Sequence, residues 1–239
     1  MQGVWKIGKG MSIYCIGDLH LSGWPQAKPM EVFGPQWLGH THKVKENWLA
    51  TVQPEDVVLV CGDISWAMSL EGAAPDLQWL ARLPGRKILL RGNHDYWWSG
   101  PTKLRSRYPE FEFLQNDAIL LGSLAVCGSR GWKVPSNEEF SPEDQKIYAR
   151  ELLRLELSFK SALQQGAKDI LCVLHFPPFF KEDEENGFTE LFRNYPVRQV
   201  VFGHIHGEKH VSVFQGEREG VGYRLCSCDI CDFQPVKIV

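Results

Sequence analysis

The stretch Val57-Val58-Leu59-Val60-Cys61-Gly62-Asp63 is a run of five apolar residues that ends in a glycine and an aspartate. Continuous apolar runs of this kind suit β-strands that are buried on both faces. Four other strand-like runs stop in a similar way, three at a glycine and one at a histidine: Ser12–Ile16, Ile88–Arg91, Ile170–Leu174 and Gln199–Phe202. The repetition predicts an α/β fold that carries its chemistry in loops at the strand ends.

Helical patterns separate these strands. Two of them are Lys43–Val52 and Pro75–Leu83, and a longer one begins at Ser141 and stops at Gly166. The longer pattern opens with a cap residue, a proline and two acidic residues, all of which favour a helix N-terminus. Beyond Phe202 only short strands are predicted, at 210–214, 222–226 and 236–239. Strand–helix alternation followed by a β-rich tail predicts one α/β domain, residues 1–239, built on two packed sheets.

Composition narrows the class of protein. The 239 residues contain 26 lysines and arginines and 29 aspartates and glutamates, a formal charge of −3, which disfavours a nucleic-acid partner. No apolar run approaches the ~18 residues of a membrane helix, so no membrane partner is expected. The N-terminus has no apolar segment long enough for a secretory signal, and the seven cysteines have no regular spacing. We therefore expect a cytoplasmic protein with reduced thiols.

Metal-ligating side chains directly follow the five predicted strands. They are Asp18, His20, Asp63, Asn93, His94, Asp95, His175, His204 and His206. In an extended backbone residues i and i+2 point to the same face, so the pairs Asp18/His20 and His204/His206 should each project two ligands in one direction. Any one of these segments alone would be interpreted as a turn or as an ordinary strand-end histidine, but five in order indicate a metal site.

The donor types point to particular metals. Carboxylate, carboxamide and imidazole without thiolate suit Mn²⁺, Fe, Zn²⁺, Co²⁺ or Ni²⁺, and argue against a closed zinc site of cysteines. Even seven of these nine side chains are too many ligands for one ion, and they fit two ions if one carboxylate bridges them. Two ions ~3.5–4 Å apart can clamp the attacking and leaving oxygens of a phosphoryl displacement.

The same motifs carry a family resemblance. Gly17-Asp18-Leu19-His20, Gly62-Asp63, Gly92-Asn93-His94-Asp95, His175 and Gly203-His204-Ile205-His206 resemble the calcineurin-like metallophosphoesterase superfamily, from about Ser12 to the C-terminus. The stretches 62–67 and 92–98 look like a subgroup of predicted phosphohydrolases. The resemblance implies a four-layer α/β/β/α sandwich with two packed mixed sheets.

The resemblance also implies roles for individual residues. One metal would be held by Asp18, His20, Asp63 and His206, and the second by Asp63, Asn93, His175 and His204. A hydroxide that bridges both ions, with Mn²⁺ the first choice, would attack phosphorus. His94 matches the histidine that contacts the phosphoryl group and acts as general acid, and Asp95 matches the acid that orients it, although a turn-capping aspartate would look identical.

Two departures from better-known branches narrow the substrate. Protein Ser/Thr phosphatases carry an arginine in the second motif, where this chain has Asp63-Ile64-Ser65-Trp66. Lipid-A diacylglucosamine hydrolases carry an arginine where this chain has His94. A small phosphomonoester or phosphodiester is therefore the expected substrate. The alternatives are a protein-binding scaffold that keeps the phosphoesterase fold without turnover, and a nuclease.

Other residues and segments have expected roles outside the set of metal ligands. Arg130, in a glycine-flanked loop, either clamps a substrate phosphate or is a surface residue. Trp97 either borders the substrate or packs in the core. Residues 132–190 are expected to form a cap or insert, and residues 1–10 an N-terminal extension. His40-Thr41-His42 repeats the His-x-His spacing without a preceding strand and is interpreted as surface.

Overall fold

The computed structural model describes residues 10–23, 27–135 and 140–239. Its α-helices are α1 (His40–Thr51), α2 (Ala74–Ala81), α3 (Pro101–Arg107), α4 (Pro142–Gln164) and α5 (Gly187–Asn194). Its strands are β1 (Ile13–Ile16), β2 (Val57–Cys61), β3 (Arg86–Leu90), β4 (Phe111–Phe113), β5 (Ala118–Leu121), β6 (Leu124–Ser129), β7 (Asp169–Leu174), β8 (Val197–Phe202), β9 (Gly216–Arg218), β10 (Val221–Leu225) and β11 (Val236–Lys237). Short 3₁₀ helices span Met30–Phe33, Pro35–Trp37 and Gly207–Ser212.

The strands form two mixed sheets. The first has the order β11-β1-β2-β3-β4, in which β1 to β4 are parallel and β11 pairs antiparallel with β1. The second has the order β5-β6-β7-β8-β10-β9, with a parallel centre and antiparallel strands at both edges. Parallel neighbours align their carboxyl ends at one edge of each sheet, which is where loops carry functional side chains in such folds.

Successive side chains of β2 point to opposite faces of the first sheet, and the cores they enter show the order of the layers. Leu59 packs in the core between the two sheets, which also contains Val126 of β6 and Val173 of β7. Val58 and Val60 face the other way, into a core that they share with helices α1 and α2. The outer face of the second sheet packs against α4 and α5 in a third core. The order of layers is therefore α/β/β/α, as the resemblance implied.

Local sequence signals account for most element boundaries. The strand over 57–61 is confirmed without a shift, and the other four predicted strands with shifts at their ends. At α4 the predicted cap is confirmed, since the Ser141 hydroxyl accepts from the Asp144 backbone N–H and the Asp144 carboxylate accepts from the Ser141 N–H. The predicted strand at 210–214 is wrong. The His210 Nδ1 donates to the Gly207 carbonyl at 2.6 Å and closes a turn there.

Two further segments are the expected cap or insert and the N-terminal extension. Residues 132–190 contain α4, which packs on β5 and β6, and strand β7 of the second sheet. That these residues form a cap, with side chains that face the leaving group of the substrate, stays a prediction. The N-terminal extension falls on residues 1–9, which lie outside the described ranges, and on Gly10. Within those ranges, no helix combines the length and the apolar character needed to span a bilayer.

Candidate metal centre

The candidate ligands gather where the carboxyl ends of the two sheets meet. Backbone hydrogen bonds hold their loops together: the Asp18 N–H donates to the Gly62 carbonyl at 2.9 Å, and the His20 N–H to the Asp63 carbonyl at 2.9 Å. In the second sheet, the Gly203 N–H donates to the His175 carbonyl at 3.0 Å. Loops from strands that are distant in sequence are thereby fixed against one another, and the side chains they carry face a common centre.

One group of potential ligand atoms comes from Asp18, His20 and His206, and these atoms lie within 4.8 Å of one another. The two Nε2 atoms of the histidines are 3.4 Å apart, and His206 Nε2 lies 3.5 Å from Asp18 Oδ1. His20 Nε2 also lies 3.8 Å from Asp63 Oδ2. Two imidazole nitrogens and two carboxylates thus surround one small volume, which is an arrangement that a divalent cation fits.

A second group combines Asp18, Asp63 and His175. His175 Nε2 lies 3.5 Å from Asp63 Oδ1 and 2.7 Å from Asn93 Oδ1. The His204 ring stands next to it, with 5.1 Å between the ring centroids. The structure therefore brings all seven predicted ligands into one cluster. Asp63 lies between the two groups, with Oδ2 towards His20 and Oδ1 towards His175.

Two histidines are oriented by acceptors behind them. The Nδ1 of His175 contacts the Cys61 carbonyl at 2.9 Å, and the Nδ1 of His206 contacts Asp229 Oδ1 at 2.8 Å. Because an acceptor holds the Nδ1 proton, it is Nε2 that is directed towards the centre, where it can bind a metal once it is deprotonated. Sequence reasoning missed Asp229, since the residues after the predicted strand 222–226 repeat none of the glycine-and-ligand motifs that mark the other strand ends.

The backbone of several ligands is left-handed. Asp18, His20, Asp63 and His204 have φ values of 59°, 45°, 51° and 74°. Such conformations cost of the order of 1–3 kcal/mol for non-glycine residues and concentrate at functional sites. The expectation of an extended backbone at these pairs is therefore wrong. The consequence is visible at the second pair, where His206 joins Asp18 and His20 whereas His204 stands beside His175.

Glycines allow this crowding. A Cβ atom at Gly92 would collide with the carboxylate and the backbone nitrogen of Asp63, and one at Gly203 would collide with Asp18 Oδ2. Asp63 and Asp18 therefore occupy the space that a side chain at position 92 or 203 would need. The motif glycines are needed for close approach of the loops to the carboxylates, in addition to turning the chain.

The electrostatics of the cluster favour the binding of a cation. Burial and the neighbouring Asp18 charge raise the pKa of Asp63 to about 8. Burial alone would lower the pKa of His206, but the carboxylates of Asp18 and Asp229 raise it to about 10. Burial and the adjacent His175 lower the pKa of His204 to about 3. The Nδ1 of His20 is buried without a hydrogen-bond partner among the described residues. Asp63 and His206 thus hold protons at pH 7 that a bound cation would displace, and His204 offers a neutral ring.

His94 stands at the open side of the cluster. Its side chain is 37% exposed, and its Nε2 lies 4.0 Å from Asp63 Oδ2. The ring packs against Trp66, with 4.5 Å between the centroids, and Trp66 also stacks on His20 at 4.7 Å. Burial, followed by the charge of His175, lowers the pKa of His94 below its ordinary value of 6.5. His94 is therefore neutral at pH 7 in the free protein, with a ring nitrogen close to the centre.

Asp95 has contacts that differ from those expected. Its carboxylate accepts from the N–H groups of Ile64, Ser65 and Gly92 at 2.9, 3.1 and 2.8 Å, and from Trp97 Nε1 at 2.9 Å. These bonds make Asp95 the residue that ties the loop after β2 to the loop after β3. Its predicted role in orienting His94 rests on no hydrogen bond among the described residues.

Three further expectations are resolved by burial. Trp97 is 2% exposed and belongs to the core, so its ring has no face free for a substrate. Arg130 is no surface residue, since its side chain is only 16% exposed, and it lines a cavity next to the cluster. The interpretation of His40 as surface is wrong: it is fully buried, and its Nε2 contacts the Leu19 carbonyl at 3.1 Å.

Known proteins share this architecture. A family model described as calcineurin-like phosphoesterase matches residues 11–208. The Gene 66 protein of Mycobacterium phage D29 is 36% identical over 84 residues, which are 35% of this chain and 40% of that protein. Phosphopantetheinyl Hydrolase (PptH) from Mycobacterium tuberculosis has a TM-score of 0.57 at 12% identity and covers 96% of both chains. The calcineurin-like phosphoesterase YfkN from Bacillus subtilis has a TM-score of 0.50 at 12% identity, over 92% of this chain and 82% of that chain. These two structures share the fold.

The contact between Asp229 and His206 gives a first prediction. Asp229→Asn keeps the size of the side chain but weakens the acceptor that orients His206, so metal affinity should fall about 10- to 100-fold. The measurement is a metal titration in competition with a chelator. Asp232→Asn, which changes an exposed carboxylate three residues away, is the matched control. Equal affinity of Asp229→Asn and wild type would show that Asp229 does not support a metal ligand.

A second prediction concerns protons. At pH 7 the raised pKa values of Asp63 and His206 keep both groups protonated in the metal-free protein. Because metal ligands must be deprotonated, loading releases protons, and metal affinity should rise as the pH increases from 6.5 towards 8. Calorimetry in buffers of different ionisation enthalpy counts the released protons. A count of zero at pH 7 would contradict the prediction.

Proposed function

Since the chain belongs to the calcineurin-like phosphoesterase family, we propose that it hydrolyses a small phosphomonoester or phosphodiester at a centre of two divalent metal ions. The proposed ligands are Asp18, His20, Asp63 and His206 for one ion and Asp63, Asn93, His175 and His204 for the other. The position of Asp63 carries the proposal. Its Oδ2 lies 3.8 Å from His20 Nε2, and its Oδ1 lies 3.5 Å from His175 Nε2. A carboxylate that faces both groups suits a bridging ligand.

The donor set suits Mn²⁺, with Fe, Zn²⁺, Co²⁺ or Ni²⁺ as alternatives. When bound, two such ions would supply an activated water and neutralise charge on the phosphoryl oxygens. Sulfur takes no part in the proposed ligand set. The nearby Cys228 Sγ instead donates to the Asp18 carbonyl at 3.0 Å, which fixes the backbone of a ligand.

We assign the general acid to His94. Its backbone N–H donates to Asp63 Oδ1 at 2.8 Å, so the side chain is anchored beside the proposed bridging carboxylate. An anionic ester bound against the ring favours the protonated form and so counteracts the lowering of its pKa. The Nε2–H can then be transferred to the departing oxygen. The face of Trp66 holds the ring in place for this step.

Activity tests the proposal directly. Protein purified with Mn²⁺ should hydrolyse 4-nitrophenyl phosphate or bis(4-nitrophenyl) phosphate, lose activity on addition of a chelator, and regain it when Mn²⁺ is restored. Asp63→Asn should lose bound metal together with activity, because the bridge is removed, whereas Asp183→Asn on an exposed loop should behave like wild type. Absence of turnover with all five metals would exclude a phosphoesterase acting on such esters. Less than one bound ion per chain would favour the scaffold.

His94→Ala separates catalysis from metal assembly. General acid assistance is typically worth ~10²–10⁴-fold, so turnover of alkyl esters with poor leaving groups should fall on that scale. Aryl esters should lose less, because their leaving oxygen needs less protonation, and the metal content should equal that of wild type. His42→Ala, at a histidine whose side chain is 73% exposed, is the matched control. An emptied metal site, or an equal loss for both ester types, would refute the assignment.

A further inference from the structure

A cavity of about 260 Å³ is lined by four arginines, Arg91, Arg130, Arg150 and Arg154. Among the described residues that line it, Glu151 is the one acidic residue, so the wall they form carries a formal excess of three positive charges in a chain whose total charge is −3. Like charges gather in this way when an anion balances them, because their mutual repulsion otherwise opposes folding.

Glu151 does not balance the arginines. Its Oε1 receives Arg154 Nη1 at 2.7 Å, while Arg130 Nη2 and Arg150 Nε remain 3.8 and 4.0 Å from the same oxygen. The Nε atoms of Arg91 and Arg130 are buried, and among the described residues they have no hydrogen-bond acceptor. A buried cationic donor without an acceptor is costly, and an anion in the cavity would supply one.

The cavity adjoins the candidate metal centre. Arg91 follows strand β3 and stands two residues before the proposed ligand Asn93. The Arg130 carbonyl accepts from the His175 N–H at 3.1 Å, so the loop after β6 is tied to another proposed ligand. Side-chain packing makes a second link. The Arg130 guanidinium lies 4.5 Å from the Trp132 ring centre, Trp132 packs on Phe176 at 5.0 Å, and Phe176 packs on the His204 ring at 3.9 Å.

We propose that this cavity binds a second anionic group of the substrate, so that the substrate carries a phosphate ester at the metal centre and a further phosphate or carboxylate among the arginines. The proposal rests on the proposed function. Ligand pockets for whole molecules measure about 300–1,000 Å³, so this cavity of about 260 Å³ has room for a phosphate or carboxylate group. Guanidinium groups bind phosphate and carboxylate oxygens in pairs, which favours a compact oxyanion over a neutral group.

The test compares substrates that differ only in the second anion. Alkanediol bisphosphates with two to six methylenes are assayed against alkyl monophosphates of the same length, with Mn²⁺-loaded protein and release of inorganic phosphate as readout. For at least one length, kcat/KM for the bisphosphate should exceed that of its monophosphate tenfold or more. Arg150→Gln and Arg154→Gln should each lower this ratio about 10-fold or more, the range expected for a lost charge-assisted hydrogen bond. Lys146→Gln, at a 76% exposed position of the same helix, should leave the ratio unchanged.

A binding experiment separates this proposal from the proposed function. Inorganic phosphate is titrated by calorimetry into the Mn²⁺-loaded wild type and into Arg150→Gln, whose arginine is the most exposed of those facing Glu151. Loss of one binding event in the variant supports the anion cavity even if no ester is hydrolysed. Turnover of monophosphates with no preference for any bisphosphate overturns the proposal while the phosphoesterase stands. Arginine variants that lower thermal stability but change neither the ratio nor phosphate binding also overturn it, since the arginines would then serve only Glu151.

Discussion

The burial of Asp18 and Asp63 is the constraint on which the rest of the centre depends. Both carboxylates are almost fully inaccessible, with 0% and 2% exposure, and burying a charged carboxylate costs several kcal/mol unless partners compensate it. The chain supplies part of the compensation through the His204 N–H to Asp18 and the His94 N–H to Asp63. The protonated ring of His206 supplies another part of this compensation. The remaining imbalance, which appears as the raised pKa of Asp63, is what a divalent cation would remove.

The same constraint explains why the loops have an unusual backbone. Bringing two carboxylates together leaves no room for side chains at Gly92 and Gly203, and it requires a left-handed conformation at Asp18 and Asp63. Local strain of this kind persists only where the surrounding structure over-determines it. Here the over-determination comes from hydrogen bonds between loops, including the two that Asp95 accepts from Ile64 and Ser65, and from the two that it accepts from Gly92 and Trp97 within its own loop. Asp95 is thus as important to the shape of the centre as the ligands are.

Sequence alone predicted the parts of the molecule that are determined locally. The run 57–61 is a strand because five apolar residues alternate between two cores, and α4 starts at Ser141 because its cap is encoded within four residues. The motif glycines and the seven candidate ligands follow from the same local patterns. The spacing of His204 and His206 predicted that both face the same way, and only the family resemblance assigned them to different ions. Their separation depends on a left-handed φ at His204 that the spacing of the two residues does not encode.

Local sequence patterns also do not predict contacts between segments that are distant in the chain. Asp229 reaches His206 across 23 residues, and the burial of His40 depends on the Leu19 carbonyl 21 residues away. The arginine cavity is the extreme case. It is built from the ends of β3 and β6 and one face of α4, so that Arg91, Arg130 and Arg154 are neighbours only in the folded chain. In the sequence Arg91 and Arg154 look like ordinary surface arginines and Arg130 alone is a candidate for contact with a substrate phosphate, while the overall charge of −3 conceals their convergence.

Glu151 reduces the electrostatic repulsion among the arginines that line the cavity. Four guanidinium groups around an empty cavity would repel one another, and a single fully buried carboxylate that pairs with Arg154 limits that repulsion while leaving a positive excess. An incoming anion therefore enters a site that is already partly neutralised, and it meets the N–H groups that Glu151 does not reach. The carboxylate stabilises the empty protein, whereas the arginines it leaves unsatisfied attract the ligand. A neutral ester would gain nothing from this arrangement, because its second end would bury the same cations without supplying a charge.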